Sequence, residues 1–416
     1  MKESKSSGKN KIHILLVHQA FAALDEPGGT RHYEMARASV QNGHRVTIIT
    51  SPVSYLTGKS AGGKMKWKTL ETPLPGLEIV RVYTYAALHR SFFHRLLGFF
   101  SFMFSSFIVG LGIKNVDVVW GTSPPIFQGW TAWLLARLKR VRFVFEVRDL
   151  WPAFAIAMQV LRNPVIISAS NWLERFLYKH TDQLVVNSPG FIAHVTARGG
   201  RNVLLVPNGV DPSMFDPAGD GSAYRQEHDL SGKFVVLYAG AHGVSNDLEV
   251  VLSAARLTIS QPEIIYTMVG DGKEKQNLMR VADQWGLKNV RFLPSVAKEE
   301  MKLVLAAADA CIAILKPVEL YKTTYPNKVF DYMAAARPVL CAIDGVIRDV
   351  IETAHAGLFV PPGDPAALAE TVLTLFNDRP SARMMGKNGY DYVVEHFNRL
   401  TIAASMEKIL IDATKP

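Results

Sequence analysis

Cysteine is almost missing from this chain: 416 residues hold only Cys311 and Cys341. Both fall in apolar runs, so no disulfide framework is available, and buried thiols in a reducing compartment are expected. Metal-binding spacing is also missing. The 12 histidines form no His-x-His or His-x-x-x-His pair, which argues against a metal centre. The GxGxxG pattern of dinucleotide sites does not occur, and the paired carboxylates of glycoside hydrolases are not evident. Acidic residues are scarce in one half only. Residues 1–200 carry 24 Lys and Arg against 11 Asp and Glu, and residues 201–416 carry 22 against 26. A basic first half of charge +13 beside a second half of −4 points to a polyanionic surface on one side only, membrane or nucleic acid. No nucleic-acid-binding module is recognisable, which favours the membrane, with a soluble domain that is simply basic as the alternative.

Long hydrophobic runs are rare as well, with one exception. The stretch Phe92–Ile113 contains 18 uncharged residues, Leu96–Ile113, at the lower edge of what spans a bilayer. Its glycines and serines, and the flanking Arg90, Arg95 and Lys114, favour a helix lying in a membrane interface. A buried core helix or a spanning one are the alternatives. The polar MKESKSSGKN start and the short apolar run Ile12–Val17 do not read as a signal sequence.

Elsewhere, short Val/Ile/Leu-rich runs alternate with helical stretches. Strands are expected at Ile12–Val17, Arg45–Thr50, Leu77–Tyr83, Asp117–Trp120, Arg142–Val147, Gln183–Asn187 and Asn202–Val206. A second series runs Phe234–Ala239, Ile264–Val269, Val290–Leu293, Ala310–Leu315, Val339–Ala342 and Leu358–Val360. Such alternation implies α/β architecture with parallel sheets covered on both faces. There are too many strands for one ordinary sheet, so two doubly wound, Rossmann-like domains facing a cleft are expected. The boundaries are placed at 11–205 and 206–394, with a helix over 395–416 packing back toward the first domain. Lys59–Lys68 reads as a mobile basic loop.

The chemistry-bearing turns lie at strand ends. Gly28-Gly29 precede a helix at Arg31–Gln41, where close-approaching amides could meet a phosphate. Arg148-Asp149 follow the Arg142–Val147 strand. His242-Gly243 and Gly270–Lys275 follow two strands of the second half, and glycine-rich strand-to-helix turns bearing lysine suit a diphosphate. In YKTTYPNKVFDYMAAARPVL (Tyr321–Leu340), Pro326 opens a helix. Asn327 and Lys328 then sit in its first turn, with Asp331 on the same face. A cation, an amide and a carboxylate at one helix mouth suit a nucleotide: phosphates for Lys328 and ribose hydroxyls for Asp331.

The stretches GGTRHYEMA…NGHRVTIIT, EVRDLWP, VPNGVD, LYAGAHG, GDGKEK, YPNKVFDYMAAARPVL and GLFVPPGD together resemble the retaining glycosyltransferases of family 4, of the GT-B fold, over roughly residues 11–412. The likeness leans toward bacterial transferases of the amino-deoxysugar type that build O-antigen or capsule units. It implies a donor site at Gly28, Gly29, His242, Gly243, Lys275, Asn327, Lys328 and Asp331. Asp331 matches the second Glu of a Glu-x7-Glu motif that holds the donor ribose, whereas the first Glu is replaced by Thr323. The catalytic His-Asp pair of the family corresponds to Arg148-Asp149. Asp149 is then expected to orient the acceptor or accept a proton.

Retaining transfer without a metal or other cofactor is expected. The donor would be a nucleotide-sugar, with a UDP-linked N-acetylated amino or deoxyamino sugar favoured. The acceptor would be a polyprenyl-diphosphate-linked sugar, and the protein would sit peripherally on the cytoplasmic face of the plasma membrane. A nucleotide-sugar epimerase of the same fold and an inactive partner in a glycan assembly complex are the competing readings.

Overall fold

The structure is a computed structural model that describes residues 11–26, 28–53, 66–86 and 92–415. The first sheet is built from β1 (His13–Val17), β2 (Arg45–Thr50), β3 (Lys68–Leu74), β4 (Leu77–Val82), β5 (Val118–Ser123), β6 (Arg142–Val147), β7 (Gln183–Val186) and β8 (Val203–Leu205). Its strand order is β3-β4-β2-β1-β5-β6-β7-β8. The second sheet holds β9 (Phe234–Ala239), β10 (Ile264–Val269), β11 (Val290–Leu293), β12 (Ala310–Ile314), β13 (Val339–Ala342) and β14 (Gly357–Phe359), in the order β11-β10-β9-β12-β13-β14. In both, the order reverses beside the first strand of the domain, and ligands of open parallel sheets bind at that switch. The two-domain α/β expectation therefore holds.

The central strands are closed to solvent on both faces. Every residue of β1, β5, β9, β10, β12 and β13 is buried, as parallel strands covered by helices must be. Cys311 and Cys341 are free, buried thiols on adjacent strands.

One strand was missed. β3 pairs antiparallel with β4 at the edge of the first sheet, so that sheet is not wholly parallel. Its sequence, KTLETPL, is polar and largely exposed, and an edge strand with one wet face carries no continuous apolar signal. The expected mobile loop at Lys59–Lys68 lies mostly outside the described residues.

The helices that matter for the cleft are α1 (Arg31–Gln41), α2 (Phe92–Leu111), α3 (Phe127–Lys139), α4 (Ala153–Ala157) and α5 (Pro164–His180). α2 is neither wholly buried nor free. Phe102 is fully buried, and the Ser105 hydroxyl donates to the Tyr83 carbonyl at 2.6 Å. The outer stripe of Leu97, Phe100, Phe104, Ile108 and Leu111 is exposed, with Phe104 at 62%. This is the i, i+3, i+4 spacing of one helix face. Leu138 on α3 and Trp172 on α5 are further large apolar side chains left open to solvent. Arg90 and the side chains of Phe92 and Phe93 lie outside the described residues.

The domains are joined twice. Leu205 ends the first sheet, and Arg31 of α1 donates to the carbonyls of Val206 and Pro207 in the linker. The chain then returns through the helix Arg399–Thr414. Ile402, Ala403, Met406 and Leu410 of that helix enter the same core as β1 and α1. Arg399 at its start pairs with Glu34 of α1 at 2.9 Å and donates to the Gly209 carbonyl. Fully desolvated pairs of this kind fix geometry more than they add stability.

Candidate functional site

Loops from both domains meet in the cleft. From the first domain, β6 ends at Val147 and delivers Arg148 and Asp149. From the second, Pro326 caps the helix Asn327–Ala334, with no side chain capping its first turn. One close approach is to the backbone of Thr323. A Cβ on Gly190 would lie 2.5 Å from the Cα of Thr323, and the Ser188 hydroxyl donates to the Thr323 carbonyl at 2.5 Å. Asn208 adds a donor to the Tyr325 carbonyl at 2.6 Å. Thr323, where the resemblance asks for a Glu, is thus part of the domain contact, and its own hydroxyl bonds back to Leu320 at 2.6 Å.

Between these loops lies a cavity of about 590 Å³. Asp149, Arg148, Gln19 and Asn187 line it from the first domain; Ser245, Tyr321 and Asn327 line it from the second. A ring stack of Phe154 on Tyr321, 5.2 Å between centroids, bridges the two sides. Asp149 is only partly covered, but its Oδ1 is sealed from solvent and finds no hydrogen-bond partner. Burial pushes its carboxyl up to about 6, against the pull of the Arg148 cation. A carboxylate near neutrality in a cleft can hold or release a proton at working pH. Arg148 approaches His18 at 2.9 Å. His18 lies against His32, whose Nε2 meets Glu146 at 2.7 Å. Glu146 also accepts from Arg31. The residue beside Asp149 is therefore held from below by a buried polar chain. None of its members was singled out in the sequence, because β6 reads as an apolar strand around one Glu.

The expected donor residues fall into two groups. His242, Lys275 and Lys328 gather where β9 and β10 end. Gly240 and Gly270, both at φ near +147°, allow this: a Cβ on Gly270 would overlap the Gly240 carbonyl. Lys275 donates to the carbonyls of Gly270 and Leu293 at 2.7 and 2.8 Å. Lys328 donates to the Tyr238 hydroxyl at 2.8 Å and stands 4.0 Å over that ring. No carboxylate pairs with either lysine among the described residues. Burial alone lowers the Lys328 ammonium to about 7, and it lowers Lys275 as well. His242 is buried with both ring nitrogens unpartnered, and burial with the two lysine charges holds it neutral, near 4. Gly243 continues the same turn.

Gly28, Gly29, Asn327 and Asp331 form the second group, around a much smaller cavity shared with Thr30, Glu34, Lys298 and Arg399. A Cβ on Gly29 would sit 3.8 Å from the Asn327 side chain, so this glycine turn faces the Asn327 helix across the domains. The expectation that Lys328 shares a face with Asn327 and Asp331 needs correction. Asn327 and Asp331 face the first domain, whereas Lys328 turns toward Tyr238. Tyr238 is buried on β9 and draws the ammonium to the sheet. Asp331 is also paired: Lys298, thirty-three positions earlier in the chain and invisible to helix spacing, reaches it at 2.6 Å. Burial raises Asp331 while Lys298 opposes the rise. Asn327 borders both cavities, and its Oδ1 is buried without a partner. Among the described residues, no cluster of three or more His, Cys, Asp or Glu could hold a metal ion.

Comparison with known proteins bears on the family and the fold. Residues 28–209 match the glycosyl transferase 4-like domain, and residues 233–378 match the glycosyl transferases group 1 family. The chain is 25% identical over 311 residues to the putative colanic acid biosynthesis glycosyl transferase WcaI of Escherichia coli K12, covering 72% of this chain and 76% of that protein. Its fold is similar to sucrose-phosphate synthase from Thermosynechococcus elongatus, with a TM-score of 0.78, 19% identity, and 96% and 98% of the two chains covered. It is also similar to Anabaena HepE in complex with UDP-glucose, with a TM-score of 0.71, 16% identity, and 96% and 100% covered. With a glycosyl transferase 4-like first domain and a group 1 second domain on a GT-B scaffold, the chain belongs among the glycosyltransferases.

Proposed function

We propose that this glycosyltransferase moves a sugar, with retention of anomeric configuration, from a nucleotide-sugar to a lipid-linked acceptor during synthesis of a bacterial surface polysaccharide. The observation that carries the reading is a set of cations without counter-charges beside unpartnered polar groups on the second domain. At the ends of β9 and β10, two lysines without carboxylate partners among the described residues stand beside a neutral His242, and the Asn327 amide oxygen, also unpartnered, borders the cavity that Asp149 lines from the other domain. Orphaned buried polar groups are costly unless a ligand satisfies them.

In this reading Lys275 and Lys328 neutralise the charge that develops on the leaving diphosphate, aided by the uncapped amides of the Asn327 helix. Such fixed charge substitutes for a metal, so turnover is expected to survive chelation. Asp331 takes the ribose hydroxyls once Lys298 swings aside or shares it, and Gly28-Gly29 close over the donor from the other domain. Asp149 receives or steers the acceptor hydroxyl. HepE binds UDP-glucose and WcaI is named for colanic acid synthesis; both support a nucleotide-sugar donor and a polysaccharide product. A UDP-linked N-acetylated amino or deoxyamino sugar is the donor we favour.

The site of action is proposed to be the cytoplasmic face of the plasma membrane. The open apolar stripe of α2, in a half-chain of charge +13, suits an interfacial helix. Because the inner face of α2 belongs to the domain core, it suits a spanning helix poorly. The test is transfer of radiolabel from UDP-, GDP- and ADP-sugars into the organic-soluble fraction of a membrane lipid extract. Label in lipid supports the proposal. Interconversion of nucleotide-sugars without acceptor, or binding without turnover, would replace it with an epimerase or an inactive partner.

A further inference from the structure

The large cavity is lined by side chains of two kinds. Around Asp149, Ser245 and Asn327 it is polar. Leu96 and Phe99 of α2, Met158 and Leu161 after α4, and Ile166 of α5 give it an apolar lining, termed the apolar lobe. The polar lining already has enough groups for a nucleotide-sugar, and the lobe has no work in that chemistry. An apolar hollow beside a reactive centre favours an apolar ligand segment, at roughly 25 cal/mol per Å² buried.

Two more observations bear on what enters it. Rings run without a break from the outer surface of α2 to the cleft: Phe100 against Phe127 at 5.6 Å, and Phe127 against Trp151 at 5.3 Å. Phe100 is half exposed and Trp151 borders the cavity, so an apolar path joins the outer face of α2 to the site. Arg95, with His94 stacked on Tyr85, stands on the cavity wall beside Leu96. The lobe therefore pairs a basic rim with a hydrocarbon-lined interior, the complement of an anionic amphiphile.

We infer that the lobe is the acceptor subsite, and that it holds the first units of a prenyl chain while Arg95 meets the attached diphosphate. This rests on the glycosyl-transfer reading, and it adds where the lipid sits. The hydrocarbon chain enters the protein from the side of α2 instead of staying in the bilayer, and its diphosphate is held so that the sugar beyond it reaches Asp149.

Farnesyl diphosphate is a soluble probe for this subsite, titrated below its micelle concentration and followed by calorimetry. It should bind at least about tenfold more tightly than inorganic pyrophosphate, because the lobe takes up its methylenes. Leu161→Asp and Ile166→Asp should abolish that preference while UDP binding persists. Arg95→Gln should weaken farnesyl diphosphate, yet leave farnesol, which lacks the diphosphate, unaffected. Phe104→Asp, on the outer stripe and away from the cavity, should change membrane retention only. Equal affinity for farnesyl diphosphate and pyrophosphate, or an unchanged preference in folded lobe variants that still bind UDP, overturns the inference. Failure of the wild-type protein to bind any of UDP, GDP and ADP would instead sink the glycosyl-transfer reading.

Discussion

Lys328→Met tests the donor site most quantitatively, because the side chain has no counter-charge of its own. In the empty protein its ammonium lies against Tyr238 and titrates near 7. A diphosphate about 4 Å away would attract the charged form by about 4 kcal/mol at an effective dielectric of ~20. At pH 8 the free group must first be protonated, one pH unit above its titration point, which costs about 1.4 kcal/mol. The net loss in Lys328→Met should therefore be about 2–3 kcal/mol in UDP affinity, roughly 30- to 150-fold. Methionine keeps the volume and much of the contact with the ring. The same reasoning predicts proton uptake. Binding should take up close to one proton at pH 8 and almost none at pH 6, measured calorimetrically in buffers of different ionisation enthalpy. The sign for stability follows as well. Lys328 is lowered below its unfolded value, so the unfolded chain holds more protons between about pH 7 and 10. Its contribution to stability therefore rises with pH through that window and is lower at pH 7, and the variant should lack the rise. Unchanged UDP affinity in a folded variant, or binding without proton uptake at pH 8, would refute this placement of Lys328.

Asp149→Asn should lower kcat by roughly 10²–10⁴-fold, the usual worth of a positioned acid or base, with UDP affinity unchanged. If Asp149 works as the carboxylate, wild-type activity should fall as pH drops through about 6, and a pH–rate profile shows whether that limb exists. Asp331→Asn should weaken UDP by roughly 1–3 kcal/mol, the scale of charge-assisted hydrogen bonds; an unchanged calorimetric affinity would return Asp331 to its pairing with Lys298 alone. Membranes washed with high salt should retain part of the protein and release the rest only to detergent, since salt screens the basic half-chain but not the stripe of α2. Complete release by salt would remove the interfacial role of α2.

Most strands were legible because buried parallel strands leave uninterrupted Val/Ile/Leu runs, as in FVVLYA and IIYTMV. β3 was not, because an exposed edge strand has no such run. The turns at Gly28, His242, Gly270 and Asn327 were legible because glycine and proline mark the backbone directly. Where the side chains point was harder to read. Helix spacing placed Lys328 beside Asp331, yet Tyr238, a strand residue ninety positions earlier, draws the amine the other way. Lys298, Arg399 and Glu34 were missed because they meet Asp331 and the linker only through tertiary contact. The apolar lobe could not be seen at all. Its walls come from α2, the segment after α4 and α5, and each alone looks like ordinary core.

The central claim is that the chain transfers a sugar across this cleft with retention, and proton NMR of the anomeric region tests it most directly. Wild-type protein, nucleotide-sugar and lipid-linked acceptor are followed in the presence of EDTA, with Asp149→Asn run alongside. The account predicts a new anomeric signal of the same configuration as the donor, appearing with wild type, lost with Asp149→Asn and insensitive to EDTA. An inverted product, or a donor that changes configuration at another carbon when no acceptor is present, would contradict it.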